Sequence, residues 1–128
     1  MAEGSYPDDL LYHAEHDWAR LDGDHATFGI TWFAQSLLGE VVFFDPPEVG
    51  TSVTANESYA EVESVKAVSD VIAPLSGEIV EANLSLADET EPINEDPYGD
   101  GWMVKVKLSD PSEVDALMDR DAYMSTLS

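Results

Sequence analysis

The sequence predicts a mainly β chain with short helices at its edges, and three observations carry that expectation. Runs at 25–30, 40–45, 59–64, 67–73, 78–82 and 101–108 alternate apolar with polar residues or are rich in β-branched and aromatic side chains. Turn residues separate them at short spacing: Asp22-Gly23-Asp24, Pro46-Pro47 and Pro74-Leu75-Ser76-Gly77. Helix signals, by contrast, are confined to the stretch after Thr31 and to the C-terminus. A length of 128 residues is about one domain's worth, so a single domain over 1–128 is expected, with 1–9 as an acidic lead-in.

Taken in order, Leu10 to Leu21 reads as one extended segment, and Asp22-Gly23-Asp24 turns it into the return run His25–Ile30. Ala26, Phe28 and Ile30 alternate there with His25, Thr27 and Gly29, which predicts a hairpin. Thr31 offers a hydroxyl N-cap to a short helix over Trp32–Leu38, and Gly39 stops it. Phe33, Ala34, Leu37 and Leu38 are expected on one face. Glu40–Asp45 is a β-prone run ended by Pro46-Pro47, and Thr51–Thr54 a short strand with Asn56 in the next turn. Tyr59–Ser64 and Ala67–Ala73 then pair, which puts Val65-Lys66 at a hairpin tip. The glycine-led strands at 49–53 and 75–80 echo each other on either side of this hairpin, suggesting two similar halves that meet around its tip. Between Asp88 and Asp100 lie six acidic residues and no basic one, with Pro92, Pro97 and Gly99, so a surface loop is expected. In 101–108, Trp102, Val104, Val106 and Leu108 face one way and Met103, Lys105 and Lys107 the other. Asp110-Pro111-Ser112-Glu113 opens a helix with a Val114, Leu117, Met118 face, and Tyr123 and Leu127 belong to a further short turn.

Composition removes whole classes of function. There is no cysteine, so disulfides, thiol nucleophiles and thiolate metal sites are excluded, and redox chemistry has to come from an attached group. The net charge of -22 repels nucleic acid and anionic lipid alike. No apolar leader or membrane span is present, which makes the cytoplasm the expected compartment. A hydrophobic fraction of 44% is that of a folded chain, not of a disordered acidic tail. Acidic surface, ordinary core and only five basic residues together point to a salt-rich cytoplasm.

Of the three lysines, Lys105 and Lys107 lie on the polar face of a strand, where solvation or ion pairing explains them. Lys66 is different: it stands at a tip among acids, where it either balances charge or serves as an amide-forming handle open to a modifying enzyme. His13 and His16 are three apart in a segment read as extended, pointing to opposite faces, which argues against zinc. No phosphate-cradling glycine loop and no G-x-S-x-G frame occurs, and carboxylate pairs in so acidic a chain carry no signal for a hydrolase. Trp18, Trp32 and Trp102 are expected in the core.

The run Glu63-Ser64-Val65-Lys66-Ala67-Val68-Ser69-Asp70 resembles the lipoylation motif of the glycine cleavage system H-protein family. His16-Asp17-Trp18, Leu38-Gly39-Glu40-Val41-Val42-Phe43, Ala73–Asn83 and Ile93–Trp102 follow the family pattern as well, so the resemblance spans residues 10 to 124. It implies a lipoyl/biotinyl-carrier-like flattened barrel-sandwich of two antiparallel sheets, with short peripheral and C-terminal helices. It further implies a non-catalytic carrier whose Lys66 bears lipoate as an amide, within an attachment motif of Glu63, Ser64, Val65, Ala67 and Asp70. Such an arm takes an aminomethyl group from the pyridoxal-phosphate glycine decarboxylase (P protein) to the tetrahydrofolate-dependent aminomethyltransferase (T protein). Dihydrolipoyl dehydrogenase (L protein) then reoxidises it, and a lipoate ligase or lipoyl transferase installs it. The family's cleft for the loaded arm corresponds here to Glu15, Asp17 and Asp70, with Asp17 where the family usually has Glu and Glu15 replacing a small polar residue.

Three rivals stay open at this point. An H-like protein relaying lipoate to 2-oxoacid dehydrogenases shares Lys66; a biotin carrier is disfavoured because no methionine flanks Lys66; a purely structural acidic module would leave the lysine unmodified, which intact-mass analysis decides. For the charge reading, the expected outcome is a melting temperature that rises with added KCl at neutral pH, as screening relieves like-charge repulsion. A melting temperature indifferent to KCl contradicts it.

Overall fold

Alternating runs become strands because every second side chain can enter a core while its neighbours stay wet. In the computed structural model, which describes residues 6–127, the strands are β1 (Leu11–Tyr12), β2 (Asp17–Asp22), β3 (His25–Ile30), β4 (Val41–Phe44), β5 (Ser52–Val53), β6 (Ser58–Ser64), β7 (Val68–Ile72), β8 (Gly77–Ala82) and β9 (Val104–Leu108). The helices are α1 (Trp32–Leu38), α2 (Glu91–Glu95) and α3 (Arg120–Leu127), with 3₁₀ turns at Leu84–Ala87 and Pro111–Ala116. The first five residues of the acidic lead-in lie outside the described residues.

Two antiparallel sheets result, one of six strands in the order β1-β2-β3-β9-β8-β5 and one of three in the order β4-β6-β7. Ala26, Phe28, Ile79, Val104 and Val106 of the larger sheet close over Leu75 as one buried cluster. Val41, Phe44, Val62 and Val71 of the smaller sheet form a second with Ile30, Leu38 and Ile93, and Tyr59 packs against both. A third cluster is aromatic: Tyr12, Trp18, Tyr98 and Tyr123, with Tyr12 stacked on Tyr123 at 4.8 Å between centroids. Trp18 is fully buried, whereas Trp32 and Trp102 are only partly so. The two echoing glycine-led strands are β5 and β8, and they pair with each other through Val53 opposite Gly77.

Several expectations need correction. Leu10–Leu21 is not one strand: a turn at 13–16 folds β1 back on β2, so that Leu11 faces Ala19. His16 takes φ 73° there, and its N–H donates to the His13 carbonyl at 2.9 Å. On α1 the buried residues are Gln35 and Leu38, while Leu37 is 57% exposed. The reason is polar: the Asn94 amide of α2 donates to both Gln35 Oε1 and the Gly39 carbonyl, turning the Gln35 side inward. The acidic stretch 88–100 is not all loop, for α2 forms with Pro92 in its first turn and Ile93 as its buried anchor. Met103 is fully buried because β9 begins only at Val104, and the Met103 N–H donates to the Phe28 carbonyl. Asp110 caps a 3₁₀ turn, not an α-helix, and Glu113 leaves the expected capping box to accept from Ser76 N–H at 2.7 Å and Oγ at 2.8 Å. The expected C-terminal turn is a full helix, α3, because Tyr123 anchors it.

Gly29 lies directly across from Trp18 in the β2–β3 pairing, and the indole ring covers it. A Cβ at position 29 would stand 2.6 Å from Trp18 Cζ2, closer than any carbon tolerates. Gly29→Ala is therefore expected to destabilise the chain by about 1–3 kcal/mol through overpacking. Denaturant unfolding followed by tryptophan fluorescence measures it.

Candidate functional site

The β6–β7 hairpin carries Lys66 at its tip, and Ser64 shapes that tip. Its N–H donates to the Ala67 carbonyl at 2.8 Å, and its Oγ accepts from the Lys66 N–H at 3.3 Å and the Ala67 N–H at 3.1 Å. One hydroxyl thus holds the backbone on both sides of the lysine. The Val65 N–H donates to the Glu40 carbonyl at 3.1 Å, tying the tip to the residue after α1's glycine stop. Lys66, Val65, Ala67, Glu63 and Asp70 are exposed, and Ser64 is buried. The stem of Lys66 lies over Gly39, where an added Cβ would stand 3.4 Å from Cε. Gly39 itself has φ 78° and ends α1, whose start Thr31 caps by accepting from the Ala34 N–H.

Glu15, Asp17 and Asp70 come together around a cavity of ≈ 210 Å³, walled on its apolar sides by Ile30, Leu37, Leu38, Val62 and Val71. β7 brings Asp70 from the lysine's own hairpin, the turn at 13–16 brings Glu15, and Asp17 is the first residue of β2. Asp17 is the most unusual of them: it is 2% exposed, and among the described residues its Oδ2 has no hydrogen-bond partner. Burial, reinforced by the charge of Glu15 and opposed by the Ile72 backbone N–H, pushes its carboxyl well above the usual carboxylate range.

His16 also lines this cavity; it belongs to the His16-Asp17-Trp18 run of the family pattern, but nothing in the spacing marks it for the role. Its place follows from the left-handed turn and from Tyr123, whose hydroxyl bonds His16 Nδ1 at 2.8 Å and Thr31 Oγ1 at 2.9 Å. Burial holds the His16 ring below its ordinary pKa, against the raising influence of Glu15. His13 steadies the same turn. Its Nδ1 accepts from the Glu15 N–H at 3.0 Å, which leaves Nε2–H to donate to Asn56 Oδ1 at 2.6 Å.

A two-sheet β scaffold with an exposed lysine at a pinned hairpin tip, beside a small acidic cavity, is an architecture that suits a carrier protein. A sequence model described as Glycine cleavage H-protein matches residues 10–128, and the chain belongs to that family. It is 55% identical to the probable glycine cleavage system H protein of Haloarcula marismortui over 91% of this chain and 92% of that one. It is 52% identical to the glycine cleavage system H protein of Symbiobacterium thermophilum, with 91% of each chain covered. The crystal structure of a glycine cleavage system H protein from Mycobacterium marinum superposes with a TM-score of 0.87 at 41% identity, covering 95% of this chain and 98% of that one. The role of a lipoyl shuttle follows from the family: the chain is a carrier component, not itself a catalyst, in a system whose other members are the P, T and L proteins. Among the described residues no helix is long and apolar enough to cross a membrane.

Because the carboxyl of Asp17 is raised in the folded chain above its ordinary 3.8, the unfolded chain gives up that proton first. Stability is therefore lost as pH rises from about 4 through the raised value, and the full penalty persists above it. Asp17→Asn removes the penalty. Its melting temperature is expected to exceed the wild type's at neutral pH, with the gap closing as pH falls toward about 4. Thermal melts of both chains across that range at fixed KCl decide it, and a gap independent of pH contradicts the assignment.

Proposed function

We propose that Lys66 holds lipoate as an amide on Nζ, and that Glu15, Asp17 and Asp70 receive the cationic aminomethyl cargo in the adjoining cavity. The chain acts as one domain in the cytoplasm in this reading. The residues present fit the group: the amine is exposed on a fixed tip, and Gly39 leaves its stem free of a neighbouring Cβ. Lipoate, when bound, supplies the sulfur chemistry that a cysteine-free chain lacks.

The unpaired Oδ2 of Asp17 carries the reading. A buried carboxylate costs several kcal/mol unless it is paired, on the order estimated for unsatisfied polar groups, and among the described residues Oδ2 has no hydrogen-bond partner. An ammonium group entering the cavity completes it, favouring the ionised form of Asp17 and pairing with it in a charge-assisted hydrogen bond. Glu15 and Asp70 keep the mouth negative. Ile30, Leu37 and Leu38 keep water from the cargo, and that slows its premature hydrolysis. Partners in this scheme are the P protein that loads the arm, the T protein that unloads it, the L protein that reoxidises it, and a lipoate ligase or lipoyl transferase that installs it.

Reconstituted glycine decarboxylation with wild-type and Lys66→Arg chains tests the attachment. Arginine keeps the charge but takes no lipoyl amide, so activity and the lipoyl mass increment are expected to vanish together, and full activity would refute the reading. For the cavity, Glu15→Ala with Asp17→Ala is expected to release the aminomethyl group about tenfold faster from the loaded chain, the size of one lost charged hydrogen bond. Unchanged release removes those residues from the role.

A further inference from the structure

We infer that Asn94 is a positioning residue for Lys66: through a single peptide plane it fixes the hairpin tip, and with it the amine that an attaching enzyme must receive. The inference rests on the shuttle reading and adds to it a residue outside both the hairpin and the cavity. Four consecutive amides make up the tip. The Ser64 N–H donates to the Ala67 carbonyl, and the Lys66 and Ala67 N–H groups donate to Ser64 Oγ, so three of the four close within it. The Val65 N–H is the one that donates outside the hairpin, to the Glu40 carbonyl at 3.1 Å. How the tip sits on the body of the chain therefore depends on where that carbonyl points.

Asn94 aims it. A trans peptide is planar, with its N–H and C=O pointing opposite ways. The Glu40 carbonyl shares its plane with the Val41 N–H, and that N–H donates to Asn94 Oδ1 at 2.8 Å. Holding the N–H toward α2 turns the carbonyl toward Val65. The same side-chain amide donates from Nδ2 to the Gly39 carbonyl at 2.8 Å and to Gln35 Oε1 at 2.9 Å. These partners leave it no freedom to flip, since the Val41 N–H needs the oxygen and the Gly39 carbonyl needs the nitrogen. Asn94 thus grips the chain on both sides of Glu40, and Gly39 is the residue over which the Lys66 stem lies. β4 is an edge strand, whose outward N–H and C=O groups have no neighbouring strand to pair with. Thr90 completes that edge by donating to the Val41 carbonyl at 2.8 Å, but this carbonyl belongs to the next peptide plane. Both side chains brace β4, and only Asn94 acts on the plane that Val65 reads.

Lipoylation kinetics test the inference, with the unmodified chain as substrate for a purified lipoate ligase supplied with lipoate and ATP. Asn94→Ala frees the plane, so that only a fraction of chains presents Lys66 correctly, and a competent fraction scales apparent affinity, not the chemical step. KM for the chain is expected to rise about tenfold, the size of one lost hydrogen bond, with kcat within about twofold of wild type. Amide hydrogen exchange is expected to quicken by a like factor at Val65 and to stay unchanged at Met103, whose N–H donates to the Phe28 carbonyl. Thr90→Val removes a bond of the same edge and is expected to lower the melting temperature comparably while leaving KM unchanged. Asn94→Asp keeps an oxygen for the Val41 N–H but gives up both donors, so a lower melting temperature with KM within about threefold of wild type is expected. That variant carries the test if Asn94→Ala does not fold. An unchanged KM or unchanged Val65 exchange in Asn94→Ala, an equal rise of KM in Thr90→Val, or a tenfold rise in Asn94→Asp overturns the inference. A wild-type chain that gains no lipoyl mass at Lys66 overthrows the shuttle reading instead, and Val65 exchange in Asn94→Ala then decides the inference by itself.

Discussion

A carboxyl group can be kept buried without a partner from the surrounding chain only where the walls around it cannot rearrange to pair it. Asp17 meets that condition, and much of the molecule serves it. Its neighbour Trp18 is buried against Tyr98, with the indole N–H donating to the Pro97 carbonyl at 3.0 Å, so the start of β2 cannot shift. Behind the turn, His16 and Thr31 share the hydroxyl of Tyr123, which fastens α3, the turn and the start of α1 at one point. Arg20 adds a further clamp, stacking over Trp18 and donating to the Tyr98 carbonyl at 2.8 Å. The aromatic cluster is thus the support of the cavity as well as a third core.

This division of labour explains what could be read from the chain directly. Strands at 25–30, 58–64 and 104–108 announce themselves because half of each faces a core, and period two survives any change of neighbours. Thr31 and Gly39 were legible because capping is local chemistry. Lys66 was legible as a motif, and the gathering of Glu15, Asp17 and Asp70 came with the family pattern, not from spacing. The left-handed His16, the inward turn of Gln35, the burial of Met103 and the helix around Tyr123 were not legible. Each is imposed by a partner distant in sequence: Tyr123 for His16, Asn94 for Gln35, Phe28 for Met103 and Tyr12 for Tyr123. Tertiary contacts override local preference at such places.

The acidity divides by location. Surface ion pairs of the kind seen between Lys105 and Glu81, 3.8 Å apart and largely exposed, contribute at most about 1 kcal/mol, so the charge does not hold the fold together. Stability comes from the three buried clusters, and most carboxylates remain in solvent. Those around the cavity sit where a cation has something to find.

The stop of α1 at Gly39, the tip of the β6–β7 hairpin and one wall of the cavity occupy a single neighbourhood, joined by the Val65–Glu40 bond and by the lysine stem over the glycine. Chain length there is consequently locked in register. An inserted or deleted residue in α1 would rotate Leu38 out of the cavity wall and slide Glu40 away from Val65 in the same event, whereas the 46–50 connection, exposed or partly so between β4 and β5, touches none of these. Length variation among relatives of this chain therefore has room in that connection and none between Thr31 and Val41.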